Sequence, residues 1–411
     1  MNTINYHQKS IKIALEKNEW KNLQSKILLE NLQKQQKATP QQLLKQSIDN
    51  VIQNQIDKLK EEIEKETNSK NIYNPVPPTV NIFKGNENEL EFELIFCYYK
   101  LEELVNLKHK DLTNEFFYQE IDLNKMNQAF EHFINNYPIF KDINSGKVEK
   151  NDLVEITYQT TKAEKIITPW TTIQLEAKKK NDSFNINELL IDKEYGQTFE
   201  VNDPTNVHWI IKINNGQRKE YTQITNENIK LVKIKEIKNI DDLKKRLIQD
   251  YSMDHASSQL LRYYKHIIFE IGKVNIVKFS NSNLEYEMTN LIKKNQHLIP
   301  NHLLNKTLAE LTNENNPQLK HFLIQVENNA KFALLTRLIE FLITRTYQIT
   351  ISEEEAKIAY EHIMATNISD HVLTVNDMAN VLHTQKIALV LAKYNNPQIY
   401  DKISQDLKLT I

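Results

Sequence analysis

At 411 residues the chain exceeds what one hydrophobic core usually organises, so two to four domains are expected. Only five glycines occur, which leaves no Gly-rich phosphate cradle, P-loop or dinucleotide fingerprint, and the single cysteine, Cys97, excludes a disulfide framework and a Cys-based zinc site. A net charge of −2 argues against a general nucleic-acid binder, although residues 1–60 hold ten lysines against five acids, an excess suited to docking on an anionic partner.

The N-terminus carries no apolar stretch flanked by basic residues and does not read as a signal peptide. Thr39, Pro40 and Gln42 mark a helix start: a capping threonine, proline at the first helical position and a glutamine three residues after the cap. Leu44, Ile48, Val51, Ile52, Ile56, Leu59 and Ile63 then form one apolar stripe that ends before Pro75. Glu61, Glu62 and Glu64 beside Lys58, Lys60 and Lys65 read as a solvated, ion-paired face. A hairpin is predicted from Val80 to Phe83 and Leu90 to Phe96, with Leu90, Phe92, Leu94 and Phe96 on one face, and Cys97 reads as a buried core residue.

Met126, Phe130, Phe133 and Ile134 restore a helical period over Leu123 to Tyr137. A β-module follows over roughly 146–237, because Val154, Ile156 and Tyr158 alternate with Glu155 and Thr157 after a turn at Asn144 to Gly146. Its strands are expected at Leu153 to Tyr158, Ile167 to Leu175, Thr198 to Val201, Trp209 to Ile213 and Ile229 to Ile237, a small antiparallel sheet. After Asp241 nearly all is helix, with a second capping box at Ser352 and Glu355. The most apolar window, Ala333 to Tyr347, is interrupted by Arg337, Glu340 and Arg345, so it does not read as a membrane span. These features give an α+β multidomain chain, with a soluble cytoplasmic setting expected. His297 and His302, five apart, are misaligned on a helix face and lack a third ligand. No metal and no cofactor are called for.

The order of these parts, together with several stretches, resembles trigger factor, the ribosome-associated bacterial chaperone family. Those stretches are Asn74-Pro75 before the hairpin, Phe96 to Leu104, Lys147 to Val154, Glu194 to Phe199, Asn275 to Val277, Ala330 to Thr344 and Ile351 to Ile363. The resemblance implies a ribosome-binding-like N-terminal domain over 1–145, an FKBP-like domain over 146–237 and a helical C-terminal chaperone domain over 238–411. It implies an ATP-independent chaperone whose partners are unfolded or nascent polypeptides and the large ribosomal subunit, with a role in folding and export. Neither DNA nor a membrane is an expected partner, and the oligomeric state is left open.

Two motifs depart from the family. Its docking loop, G-F-R-x-G-x-x-P, corresponds to Gln33 to Pro40, where only the proline is kept. Lys34 and Lys37 would then contact phosphates as point charges, without the bidentate fork of arginine, so attachment should be weak and salt-sensitive. The isomerase turn I-P-G-[FW]-E corresponds to Asp182 to Glu188, which has neither proline nor glycine. Tyr158 and Phe199 stand at matching positions as pocket walls, or as ordinary strand aromatics. Prolyl isomerisation, against a barrier of about 20 kcal/mol, is expected to be weak or lost. The alternatives are an isomerase with a rebuilt pocket and a ribosome-free cytosolic holdase. Ala333 to Tyr347 is a candidate holding surface, or internal packing between helices.

Overall fold

The structure, a computed structural model, describes residues 2–34, 37–67, 71–179, 184–232, 234, 236–366, 373–407 and 409. It is α+β and divides into two compact units, one formed by Met1–Gln119 with Met253–Ile411, the other by Glu120–Ser252.

The first unit begins with β1 (Asn2–Ile4), β2 (His7–Leu15), α1 (Lys17–Gln33) and α2 (Pro40–Thr67), then β3 (Ile72–Tyr73), β4 (Thr79–Gly85), β5 (Leu90–Lys100) and α3 (Leu101–Leu104). β5 is the spine of this sheet and pairs antiparallel with β2, β3 and β4. Its alternation turns Leu90, Phe92, Leu94 and Phe96 inward, where they meet the α2 stripe and Trp20 of α1 in one apolar cluster. The expected capping box forms, with Thr39 N donating to Gln42 Oε1 at 2.8 Å and Gln42 N to Thr39 Oγ1 at 3.3 Å. Of the acidic run on α2, Glu62 reaches across to Lys9 of β2 at 3.4 Å, and Lys9 also meets Glu66 at 2.6 Å.

The second unit opens with α4 (Leu123–Asn135), capped by the Asp122 carboxylate, which accepts from Asn124 N and Lys125 N. There follow β6 (Tyr137–Ile143), β7 (Leu153–Lys162), β8 (Lys165–Glu176), α5 (Ile186–Leu189), β9 (Thr198–Asn202) and β10 (His208–Thr222). The sheet runs β6-β10-β7-β8, with β9 also on β10, and all pairings are antiparallel. β6 carries Pro138 at the sheet edge, where strand prolines are tolerated. The strand expected over Ile229 to Ile237 is not formed: Ile229–Val232 is a 3-10 turn, and Lys233 and Lys235 lie outside the described residues. The physical reason is spacing. Ile229 and Val232, three apart, fall on one side of that turn and enter a cluster with Phe130, Ile134, Ile224 and Leu243.

Helix α6 (Ile240–Val274) is followed by β11 (Asn275–Val277), α7 (Asn281–Lys294), α8 (Leu308–Thr312), α9 (Pro317–Thr346), α10 (Glu353–Thr366), α11 (Val375–Asn395) and α12 (Pro397–Leu407), which complete the first unit. The box at Ser352 forms, with Glu355 N donating to Ser352 Oγ at 3.1 Å. β11 pairs in parallel with β1. Tyr99 and Leu104 pack on Leu338 and Leu342, and Tyr99 donates to the Lys278 carbonyl at 2.8 Å, so the N-terminal sheet and the later helices share a core. Leu334, Leu335, Leu338, Ile339, Leu342 and Ile343 are all buried. The apolar window of α9 is therefore internal packing and not an open holding surface.

Residues 105–119 have no regular secondary structure, yet the backbone of Lys108, His109 and Leu112 is satisfied by two asparagines. Asn275 accepts from Lys108 N at 2.9 Å and donates to Lys108 O at 3.0 Å, while Asn395 accepts from Leu112 N and donates to His109 O, both at 2.9 Å. Each also bonds the carbonyl four residues back on its own chain, Ile271 and Leu391 respectively. Buried loop backbone needs such partners. Among the described residues no helix is long and apolar enough to cross a membrane.

Candidate functional site

The β-unit carries an aromatic face. Ile211 of β10 is the register partner of Tyr158 on one side and Phe199 on the other, so antiparallel pairing turns both predicted pocket walls to the same face, two strand spacings apart. Two residues along β10, Trp209 shares that face and stacks on Tyr158, with ring centroids 5.3 Å apart and planes 27° apart. Phe184 tilts against Trp209 at 6.4 Å, and Lys193 lies 5.2 Å from the Phe199 ring centroid. Trp209 keeps its indole N–H within 3.4 Å of Asp203 Oδ2. All four rings are half-buried, and Tyr158, Phe199 and Trp209 share their sheet face with the fully buried Ile156, Ile211 and Ile213, at the margin of that core. Such a face can hold an apolar or proline-bearing segment by stacking and desolvation.

Sequence reasoning placed a strand at Trp209 but did not make its ring part of the site. The signal was present, since Trp209, Ile211 and Ile213 are spaced by two. Of the stretch Asp182 to Glu188, Asp182 and Ser183 lie outside the described residues, and Ile186–Leu189 is a short helix. We expect Tyr158→Ala to cost about 2 kcal/mol, less than a fully buried aromatic, because the ring is half-exposed. Thermal unfolding of the β-unit transition measures it.

One buried knot sets the rear of this unit. Asp152, 1% exposed, accepts from Arg218 Nε at 2.9 Å and Nη2 at 2.8 Å, from Tyr195 OH at 3.1 Å and from Glu149 N at 2.8 Å. Arg218 also pairs with Glu149. Burial alone would raise the Asp152 carboxyl, but hydrogen bonds from Arg218, the Glu149 amide and Tyr195 outweigh it and hold the group below the ordinary carboxylate range. The Tyr195 phenol is pushed upward by burial first and by Asp152 second. This arrangement fixes β7 against β10 through the buried Asp152 and Tyr195, with Glu149 and part of Arg218 at the surface; it is a structural element.

The second candidate surface lies at the α1–α2 connection. Lys34, Lys37 and Pro40 are all exposed there, and Gln35 and Gln36 lie outside the described residues. Beside them Leu28, Leu29 and Leu32 stand exposed on the last turns of α1, with Leu29 and Leu32 at 60% and 61%. Positions 28, 29 and 32 are neighbours on a helix face, so they form a small apolar patch next to two ammonium groups. Nothing in the loop pattern pointed to these leucines. A third apolar group, Ile166, Ile167 and Trp170, is exposed on β8, at the edge of the sheet.

His297 and His302 fall in separate short 3-10 turns, and among the described residues no group of three His, Cys, Asp or Glu side chains is placed to hold a metal ion. No family model matches the chain, and no curated protein matches it. Among solved structures, the trigger factor chaperone studied for promiscuous substrate recognition in folding and assembly is similar at 12% identity and a TM-score of 0.36, over 94% of this chain and 97% of that one.

Proposed function

We propose that this protein is an ATP-independent chaperone that holds unfolded polypeptide segments on shallow apolar patches, as the resemblance of its sequence to the trigger factor family implies. The observation that carries the reading is the exposure of large apolar side chains in groups, at Leu28, Leu29 and Leu32 and again at Ile166, Ile167 and Trp170, above cores that are otherwise closed. Each patch hides little area, and at about 25 cal/mol per Å² of apolar surface such contacts bind weakly and release without an energy source. The division into segments 1–145, 146–237 and 238–411 belongs to the same proposal.

Docking on the large ribosomal subunit is part of it, through Lys34, Lys37 and Pro40. Leu29 and Leu32 would supply the apolar anchor that the loop lacks, while the two lysines meet phosphates. The test is aggregation of a chemically denatured protein diluted into buffer with and without the chain. Suppression in a stoichiometric range supports holding, and unchanged light scattering defeats it. Co-sedimentation with ribosomes over a salt series tests docking. Leu29→Glu with Leu32→Glu, and separately Lys34→Glu with Lys37→Glu, are each expected to weaken binding by about tenfold or more. Binding indifferent to both pairs removes this surface, and suppression without any ribosome binding favours a ribosome-free holdase.

A second reading, prolyl isomerase with a rebuilt pocket, is favoured by the stacked Tyr158–Trp209 pair beside Phe184 and Phe199. In proline-limited refolding, catalysis that disappears in Tyr158→Ala supports it. No catalysis by the unaltered chain rules it out.

A further inference from the structure

Away from both candidate surfaces, a cavity of about 300 Å³ opens where α11 passes the C-terminal end of α9. Its floor is apolar, from Val390 and Ile349, and its wall is aromatic, from Tyr347 and Tyr394, whose ring centroids lie 5.5 Å apart at 38°. Its rim is cationic. Lys386 and Lys393 line the cavity, while Lys110, from the irregular segment 105–119, lies outside the lining and against the two rings, with Nζ 4.3 Å from the Tyr394 centroid and 5.4 Å from that of Tyr347. Lys386 is built in: its side chain is only 12% exposed and donates to Thr350 O at 3.1 Å and Glu355 Oε1 at 2.7 Å. Glu355 thus balances one of the three ammonium groups. Among the described residues, neither Lys110 nor Lys393 has a carboxylate oxygen within 4 Å; Lys393 instead lies 5.8 Å from the Tyr400 ring centroid.

One cation without a carboxylate partner, Lys393, in the lining of an aromatic and aliphatic cavity, with Lys110 behind its tyrosine wall and bonded to the Tyr347 hydroxyl, favours an amphiphilic anion. We propose that this cavity binds a small aromatic anion, a flat ring carrying one phosphate or carboxylate group. The ring lies against the Tyr394 and Tyr347 walls and the Val390 floor, while the anionic group meets Lys393. Lysine acts as a compact point charge, so either anionic group is accepted. The volume is at the lower end of small-molecule sites, which admits a single ring system and excludes an extended chain.

Calorimetric titration of the full chain with phenyl phosphate, benzoate and inorganic phosphate tests this. At least one of the two aromatic anions is expected to saturate and to bind about tenfold or more tightly than inorganic phosphate. The comparison between them identifies the preferred anionic group. Lys393→Ala should weaken that binding about three- to tenfold and Lys110→Ala by less, and added salt should weaken it further. Tyr394→Ala should bring the aromatic anion down to the level of inorganic phosphate, while Tyr394→Phe should retain it. Both lysine substitutions are on partly exposed side chains, so folding is kept and checked by circular dichroism. The proposal fails if neither aromatic anion saturates, if all three titrate alike, or if Lys393→Ala binds as the unaltered chain does.

Discussion

Asp152→Ala is expected to destabilise the β-unit by about 3–5 kcal/mol, the loss seen when one partner of a buried ion pair is removed. The substitution leaves the Tyr195 hydroxyl and the Glu149 amide without their acceptor and takes from the Arg218 guanidinium two of its bonds, leaving it Glu149 and the Lys147 carbonyl. Asp152→Asn keeps the shape and should lose less. Arg218→Ala should fall between them, because the uncompensated Asp152 can take up a proton. The pH dependence has a fixed sign. The folded-state carboxyl sits below its unfolded value, so its contribution is fully present above about pH 4 and is lost as pH falls through the folded pKa. Denaturant unfolding of the unaltered chain between neutral and acid pH should show the β-unit transition weakening at the acid end, and in Asp152→Ala that acid dependence should shrink. Equal pH dependence in both would remove Asp152 as its source.

The second large effect is expected at Trp20. Its side chain is fully buried in the cluster between α1, α2 and β5, and its indole N–H donates to Asn86 O at 2.8 Å. Asn86 in turn organises the β4–β5 turn, its Oδ1 accepting from Asn88 N at 2.9 Å and Glu89 N at 3.1 Å. Trp20→Ala should therefore cost about 3–5 kcal/mol, by removing buried area and leaving a cavity. Trp20→Phe should cost less, retaining most of the volume but leaving the Asn86 carbonyl without its donor. Circular dichroism in denaturant separates the two, and the loss should fall on the transition of the first unit.

Strong local patterns made much of this fold legible. The α2 stripe, the β4–β5 hairpin, the β7 alternation and the caps at Thr39 and Ser352 are local patterns of adjacent side chains, and the chain folds there as its periodicity dictates. β2 went unread although Ile11, Ile13 and Leu15 alternate, because lysine and serine interrupt a short strand whose partner, β5, lies far along the chain. The parallel β1–β11 pair left no local signature. The order of residues 105–119 was invisible for a related reason: it depends on Asn275 and Asn395, and an asparagine that substitutes for a strand looks like any surface asparagine. At Ile229 to Ile237, a β-branched run suggested a strand, and tertiary packing of Ile229 and Val232 prevailed over propensity. In the candidate site, Tyr158 and Phe199 were found by position and Trp209 only by the fold, because the face they share is set by register with a third strand.

The asparagine-braced segment 105–119 ends at a splice. Gln119 N meets Gln259 Oε1 at 3.2 Å, and Gln119 O accepts from His255 Nε2 at 2.6 Å, so the chain leaves the first unit and re-enters it at neighbouring points. During synthesis this imposes an order. Residues 120–252 emerge as a contiguous stretch able to close their own core, whereas β1 must wait for residues 275–277, and Asn395 can brace Leu112 only when α11 is made. A protein proposed to shelter unfinished chains thus leaves its own first unit open until residue 395 has been made.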